Sequence, residues 1–166
     1  MKRITLFAVL ALLTTGYACL SILSILVFNF QDGGVGVWLP NVFAVALILR
    51  NPSLRVGPAS VAVFAGCMAS NLLLDAEIGM SALYSLVNAA LVVVESKLIA
   101  RCFGSRQPTV ATMRDYAIAL MAGGVAAPAV VAALFSTFMG YAFDWPVLQT
   151  YIIWIVGEAL GFALLL

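Results

Sequence analysis

Two of the chain's seven acidic residues, Glu95 and Glu158, lie inside apolar sequence. A carboxyl in hydrocarbon is expensive, so such residues face a bundle interior or a water-filled cavity, where they relay protons, hold ligands or pair with cations. Glu158 sits in Ile155-Val156-Gly157-Glu158-Ala159-Leu160-Gly161. Helical spacing puts Tyr151, Trp154, Glu158 and Gly161 on one face, a stripe of two aromatics, an acid and a small residue. Glu95 stands two residues before Lys97, and its face continues through Leu91 to Asn88. The alternative for Glu95 is an interfacial carboxyl reaching out beside Lys97 and Arg101. Asn71, Asn88 and Asn41, the last three residues after Trp38, need hydrogen-bond partners in lipid, as interhelical glue or as ligand contacts. Trp38 and Trp145 near span ends also fit interfacial anchors. Taken together, Trp38, Asn41, Asn71, Asn88, Glu95, Tyr151, Trp154 and Glu158 outline a polar pocket between spans two, three, four and six.

The elements that must position these residues are membrane helices. The chain is 64% apolar and 9% charged with a mean hydropathy of +1.14, where soluble domains carry about 25% charged residues. Apolar runs place spans near 4–28, 36–50, 56–74, 80–101, 114–140 and 147–166. Membrane-barrel alternation is missing from them, which predicts an all-α polytopic bundle forming one integral-membrane domain, 1–166. All eight basic residues fall at one set of span ends: Lys2, Arg3, Arg50, Arg55, Lys97, Arg101, Arg106 and Arg114. Asp32, Asp75, Glu77 and Asp144 occupy the opposite loops. By the positive-inside rule both termini are expected to be cytoplasmic, in an inner membrane. The apolar run beginning at Ile4 continues to Phe28, too long for a cleaved signal peptide, and reads as an anchor.

Turn residues punctuate the connections: Asp32-Gly33-Gly34, Asn51-Pro52 with Gly57-Pro58, and Gly104-Ser105 with Pro108. Pro40 lies near one end of span two, and Pro128 lies near the middle of span five. A proline there frees a carbonyl that neighbours must satisfy, and a kink is expected at Pro128. With Gly123 and Gly124 it makes a candidate hinge, set among alanines that let helices pack closely.

Several function classes drop out. A net charge of +1 leaves no basic footprint for nucleic acid. The chain has no histidine, and Cys19, Cys67 and Cys102 are scattered, so no metal signature is present and no cofactor is implied. Glycine-rich phosphate loops and nucleophile–base pairs are missing too, and the chain by itself is not expected to be an enzyme.

Four segments in order resemble the first type of membrane-associated sensor domain, the MASE family of bacterial signalling proteins. Val37-Trp38-Leu39-Pro40 with Ala44–Arg50 is similar to its tryptophan–x–proline span. Gly66–Leu74, with Ser70-Asn71-Leu72-Leu73, resembles the small-residue, asparagine and leucine segment that follows. Asn88 leading to Lys97 and Arg101 looks like its asparagine-started span. Tyr151–Leu165, with Trp154, Glu158 and Gly161, looks like its tryptophan–acid–glycine segment. One position departs: the family commonly has a glutamate where Leu91 stands, and Glu95 lies one turn further on the same face.

The resemblance implies a sensory domain governing a cytoplasmic output, a diguanylate cyclase, a cyclic di-GMP phosphodiesterase or a histidine kinase. Family members carry more spans than the six expected here, which implies a domain truncated at its C-terminus. The partners expected are the lipid bilayer, the output domain or a partner signalling protein, a small-molecule ligand and a second copy of the chain. Two alternatives fit the same features. One is a small-solute transporter or its membrane substrate-binding subunit; the other is an anchor or dimerisation module.

Overall fold

The computed structural model describes residues 3–28, 35–51, 54–104, 106, 108 and 110–165. Lys2, the Arg3 side chain, the Asp32-Gly33-Gly34 turn, Pro52, Ser105 and Leu166 lie outside the described residues. The architecture is all-helical: α1 (Arg3–Phe28), α2 (Leu39–Arg50), α3 (Val56–Leu73), α4 (Ile78–Phe103), α5 (Met113–Ala119), a π-helical segment (Leu120–Ala126), α6 (Ala127–Phe143) and α7 (Val147–Leu165). α5, the π segment and α6 run on as one apolar rod, Met113–Phe143. Among the described residues, five helices are long and apolar enough to cross a bilayer, and the outward faces of α1, α6 and α7 carry exposed Leu12, Leu26, Leu134 and Leu148. By length and composition these are the helices of a membrane-spanning protein.

α2 differs from the full span expected over 36–50. Its 12 residues reach about 18 Å, against a hydrocarbon core about 30 Å thick. It is nonetheless the most enclosed element: Leu39, Pro40, Asn41, Val42, Ala44, Val45 and Ile48 are all buried, and α1, α3, α4 and α7 pack around it. Pro40 falls in its first turn, where a missing N–H costs nothing because that donor has no partner within the helix.

Extended backbone over 35–38 leads into α2. Gly36 N–H donates to Phe28 O at 2.8 Å and Trp38 N–H to Gly157 O at 2.9 Å, and Leu39 N–H donates to Ser24 Oγ at 3.2 Å. Non-helical backbone survives at membrane depth only where protein satisfies it in this way. Room for it comes from α7: a Cβ at Gly157 would lie 2.9 Å from Val35 O, and one at Gly161 would strike Trp38 O.

The remaining contacts use the same small-residue device. Leu13, Tyr17, Ser21 and Ser24 form the buried stripe of α1. α1 approaches α3 so closely that a Cβ at Gly66 would sit 2.6 Å from Thr14 O. A π turn lies just upstream of Pro128, where the sequence predicts a kink. Pro128 cannot donate to Gly124 O, and the ladder widens upstream so that Ala127 N–H reaches Ala122 O instead. In that turn, Gly123 receives the ring of Phe162 from α7, and a Cβ at Gly124 would lie 3.3 Å from Ala159 Cα.

Short caps close the exposed ends. Thr112 caps α5, accepting from Asp115 N–H at 3.1 Å and donating to Asp115 Oδ2 at 2.9 Å. Glu77 caps α4, accepting from Gly79 N–H at 2.8 Å and Met80 N–H at 2.7 Å. Those two amides, Gly79's first, hold the Glu77 carboxyl below its ordinary pKa. The cap's contribution is therefore complete above the unfolded carboxylate's pKa and fades as pH falls through the lower folded value. Hydrogen exchange should show the Gly79 and Met80 amides protected at neutral pH and opening in that acid range. Glu77→Gln should flatten the pH response.

Candidate functional site

A cavity of about 610 Å³ opens beside the α6–α7 connection and ends in the interior. Exposed Trp145, Pro146 and Gln149 form its rim, and Glu158, 1% exposed, lies at its inner end. Its walls are aromatic. Phe135 and Trp154 meet edge to face with centroids 4.5 Å apart, and Tyr84 lies 5.6 Å from Phe135 and 6.4 Å from Trp154. Trp38 closes the side towards α2. All three tryptophans of the chain line this one cavity.

Behind Glu158 runs a buried polar network centred on Asn41. Tyr17 Oη donates to Asn41 Oδ1 at 2.6 Å. Asn41 Nδ2 donates to Asn88 Oδ1 at 3.0 Å and to Glu158 Oε1 at 2.6 Å. Asn88 Nδ2 in turn donates to Tyr84 O at 3.0 Å. Longer contacts join Asn88 and Asn71 to Cys67 Sγ, at 3.9 and 3.8 Å, weak because thioether and thiol sulfur accept poorly. The central bonds tie α1, α2, α4 and α7 through one side chain of the short helix. Among the described residues Glu158 Oε2 has no partner in hydrogen-bonding geometry.

Comparison of the chain with protein-family models, curated proteins and solved structures returns no match.

Of the residues singled out in the sequence, Trp38, Asn71, Asn88, Trp154 and Glu158 line the cavity. Asn41 stands behind the inner end as the hub of the network rather than in the wall. Tyr151 is half-buried and lies outside the lining. Glu95 shares a stripe with Asn88, seven residues or about 10.5 Å further along α4, and does not border the cavity. It does not reach the interface beside Lys97 and Arg101 either: it is fully buried, and among the described residues neither carboxyl oxygen has a partner. The Asn88 stripe turns inward, and the Glu95 side chain is too short to leave it. Gly123, Gly124 and Pro128 are buried against α7 and elsewhere, away from the cavity.

Trp145 belongs to the cavity rim as well as to the span end. Sequence reading misses Tyr17, Cys67, Tyr84, Phe135, Gln149 and Thr150. An aromatic or a thiol within an apolar run carries no local mark of having a polar partner. Tyr17, fully buried yet hydrogen-bonded 24 positions away, shows why. Among the described residues no three acidic or thiol groups gather as a metal site.

Proposed function

We propose that this chain is an integral-membrane sensory domain that binds a small molecule in the cavity ending at Glu158. It would lie in a bacterial inner membrane with both termini cytoplasmic, and govern a cytoplasmic output such as a diguanylate cyclase, a cyclic di-GMP phosphodiesterase or a histidine kinase. One observation carries this reading: the cavity's innermost carboxyl is hydrogen-bonded to Asn41, the residue that joins four helices. A ligand that engages Glu158 competes for or reinforces the Asn41 bond, and so acts directly on the packing of α1, α2 and α4 against α7. A ligand moves a two-state protein only through unequal affinity for its two states, and this bond is a place where such a difference arises.

The aromatic walls and the volume support small-molecule binding, being within the range of about 300–1,000 Å³ usual for such sites. The resemblance to MASE domains in Trp38, Asn71, Asn88 and Glu158 supports the signalling role. The π turn with Gly123, Gly124 and Pro128 is the hinge in this reading, since π turns allow a helix to change register locally. The chain itself catalyses nothing; the chemistry belongs to the output.

The test is Glu158→Gln placed in the native gene, with cyclic di-GMP and kinase phosphorylation measured in membranes containing wild-type amounts of protein. The expected result is an output locked high or low and no longer responsive to growth conditions. Wild-type output and responsiveness at equal abundance would overturn the sensory role of the cavity.

A transporter is the second reading, favoured by the short α2 and its extended lead-in buried in the bundle, the kind of broken helix that forms midplane substrate sites. Solute uptake into vesicles by the purified chain alone would put this reading first.

A further inference from the structure

We infer that the cavity takes an organic cation: a protonated amine, primary or more substituted, carried on an apolar body of aromatic-ring size. This rests on the cavity being the ligand site, as proposed above.

Charge comes first. Among the described residues, Glu158 is the sole carboxyl in the cavity lining, and no lysine or arginine joins it there. Nothing in the wall therefore offsets a carboxylate there. Hydrogen bonding points the same way. Both Asn41 Nδ2 hydrogens are spent, on Asn88 and Glu158, and the Tyr17 hydroxyl hydrogen is spent on Asn41. Asn88 Nδ2 is committed to Tyr84 O. Beside Asn41, among the described residues, the unmet capacity is thus an acceptor, Glu158 Oε2. A buried oxygen of this kind is costly until a donor reaches it, and a charged donor makes the stronger bond. An ammonium supplies the donor and the compensating charge in one group.

The walls complete the case. Trp38, Trp154, Tyr84 and Phe135 surround the approach to Glu158, with Trp145 at the rim. Aromatic rings, tryptophan best of all, attract cations through their negative faces, and groups of them recognise ammonium ligands. The volume is that of about twenty waters, taking about 30 Å³ for each, which leaves room for an apolar body beside the ammonium. Trp38 Nε1 also has no partner, so an acceptor on the same molecule would be held as well. An anionic ligand meets the opposite conditions, with an acid at the inner end and, among the described residues, no basic side chain in the wall.

The three tryptophans make the cavity its own reporter. The purified full chain, in lipid nanodiscs at neutral pH, is titrated with 2-phenylethylamine, 2-phenylethanol and phenylacetate while tryptophan emission is followed. The expected order is amine first, at least tenfold tighter than the alcohol, with phenylacetate not binding. Glu158→Gln should reduce the amine to the level of the alcohol. Trp154→Leu, which keeps the carboxyl and its bond to Asn41, should weaken the amine more than the alcohol. Equal binding of amine and alcohol by the wild-type protein, an undiminished amine preference in Glu158→Gln, or no response to the amine would each overturn the assignment. Equal binding with an altered signalling output in Glu158→Gln sinks the ligand class and leaves the sensory role standing. Amine-selective binding with wild-type output does the reverse.

Discussion

Gly161→Ala should be among the most damaging single-methyl additions to this protein. The added Cβ would strike Trp38 O, a backbone atom in the extended segment that leads into α2. A flexible side chain could swing aside, but this carbonyl is fixed by its neighbours. Trp38 N–H is bonded to Gly157 O, and Leu39 N–H to Ser24 Oγ. Relief therefore requires α2 to move off α7, and Asn41 is carried with it. Overpacking a well-filled interior costs about 1–3 kcal/mol and occasionally more, and the loss should fall near the top of that range, at about 3 kcal/mol. Gly157→Ala, whose Cβ would meet Val35 O at 2.9 Å, should cost less because the overlap is smaller. Gly57→Ala is the control: nothing lies within 4 Å of its Cβ in the first turn of α3, and removing glycine from a helix should stabilise it by up to about 0.5–1 kcal/mol. Reversible unfolding by SDS in mixed micelles reads all three. A Gly161→Ala protein as stable as wild type would mean that α2 is not seated against α7 as described.

Asn41→Leu is the second large effect expected. The substitution is close in size and apolar, so the cost isolates the polar network. It strands Tyr17 Oη, Asn88 Oδ1 and Glu158 Oε1 at once, all in side chains no more than 5% exposed. Leaving a buried polar group without its partner costs about 1–3 kcal/mol in soluble proteins. Interhelical hydrogen bonds in membranes average only about 0.6 kcal/mol, because the unfolded helices find other partners. Three broken bonds, one to a carboxyl, should together cost about 3 kcal/mol, between a simple sum of the membrane values and one of the soluble values. Tyr17→Phe removes one bond and strands only Asn41 Oδ1, so its loss should be about 1 kcal/mol. Asn41→Asp keeps the acceptor for Tyr17 but turns both donors into an acid facing Glu158, and should be no better tolerated than leucine. If Asn41→Leu and Tyr17→Phe lost equal stability, Asn41 would not be the hub.

Both expectations depend on α2, the element whose length and surroundings the sequence leaves open. Its apolar run over 36–50 looks like the other spans, because hydropathy registers composition and not path. The first three positions of that run are non-helical in the structure. Besides Phe28 O, what holds them is the carbonyl of Gly157 and the space above Gly161, more than a hundred residues away. Gly157 and Gly161 do stand out in the sequence, four residues apart around Glu158, but spacing alone identifies them as a close-packing face without saying what packs there. The long helices are different. Spans read as 4–28, 56–74 and 147–166 appear as Arg3–Phe28, Val56–Leu73 and Val147–Leu165, because apolar runs bounded by turn residues are local signals.

The candidate site divides in the same way. Glu158, Asn88, Asn71, Trp38 and Trp154 are legible from the sequence as polar or amphipathic side chains out of place in apolar runs, since hydrocarbon penalises each of them wherever it lies. Their convergence on one cavity is not legible. Nor is the separation of Glu95 from that cavity, although Glu95 shares Asn88's helical face, because seven residues along a helix carry a side chain past the end of a pocket. Tyr17, Cys67, Tyr84 and Phe135 look like ordinary lipid-facing or core residues until a partner is placed opposite them.

The sequence by itself determined that this protein is a helical membrane protein, where most of its helices begin and end, and which few polar groups must be hidden from lipid. Those properties follow from the transfer free energies of individual residues and from periodicity within about twenty positions. Only the tertiary structure decided that α2 is short and enclosed, that Asn41 joins four helices, and that one carboxyl oxygen remains unsatisfied beside a wall of tryptophans. Those are distances between residues remote in the chain, set by how glycine faces and aromatic side chains pack together, and no local pattern encodes them.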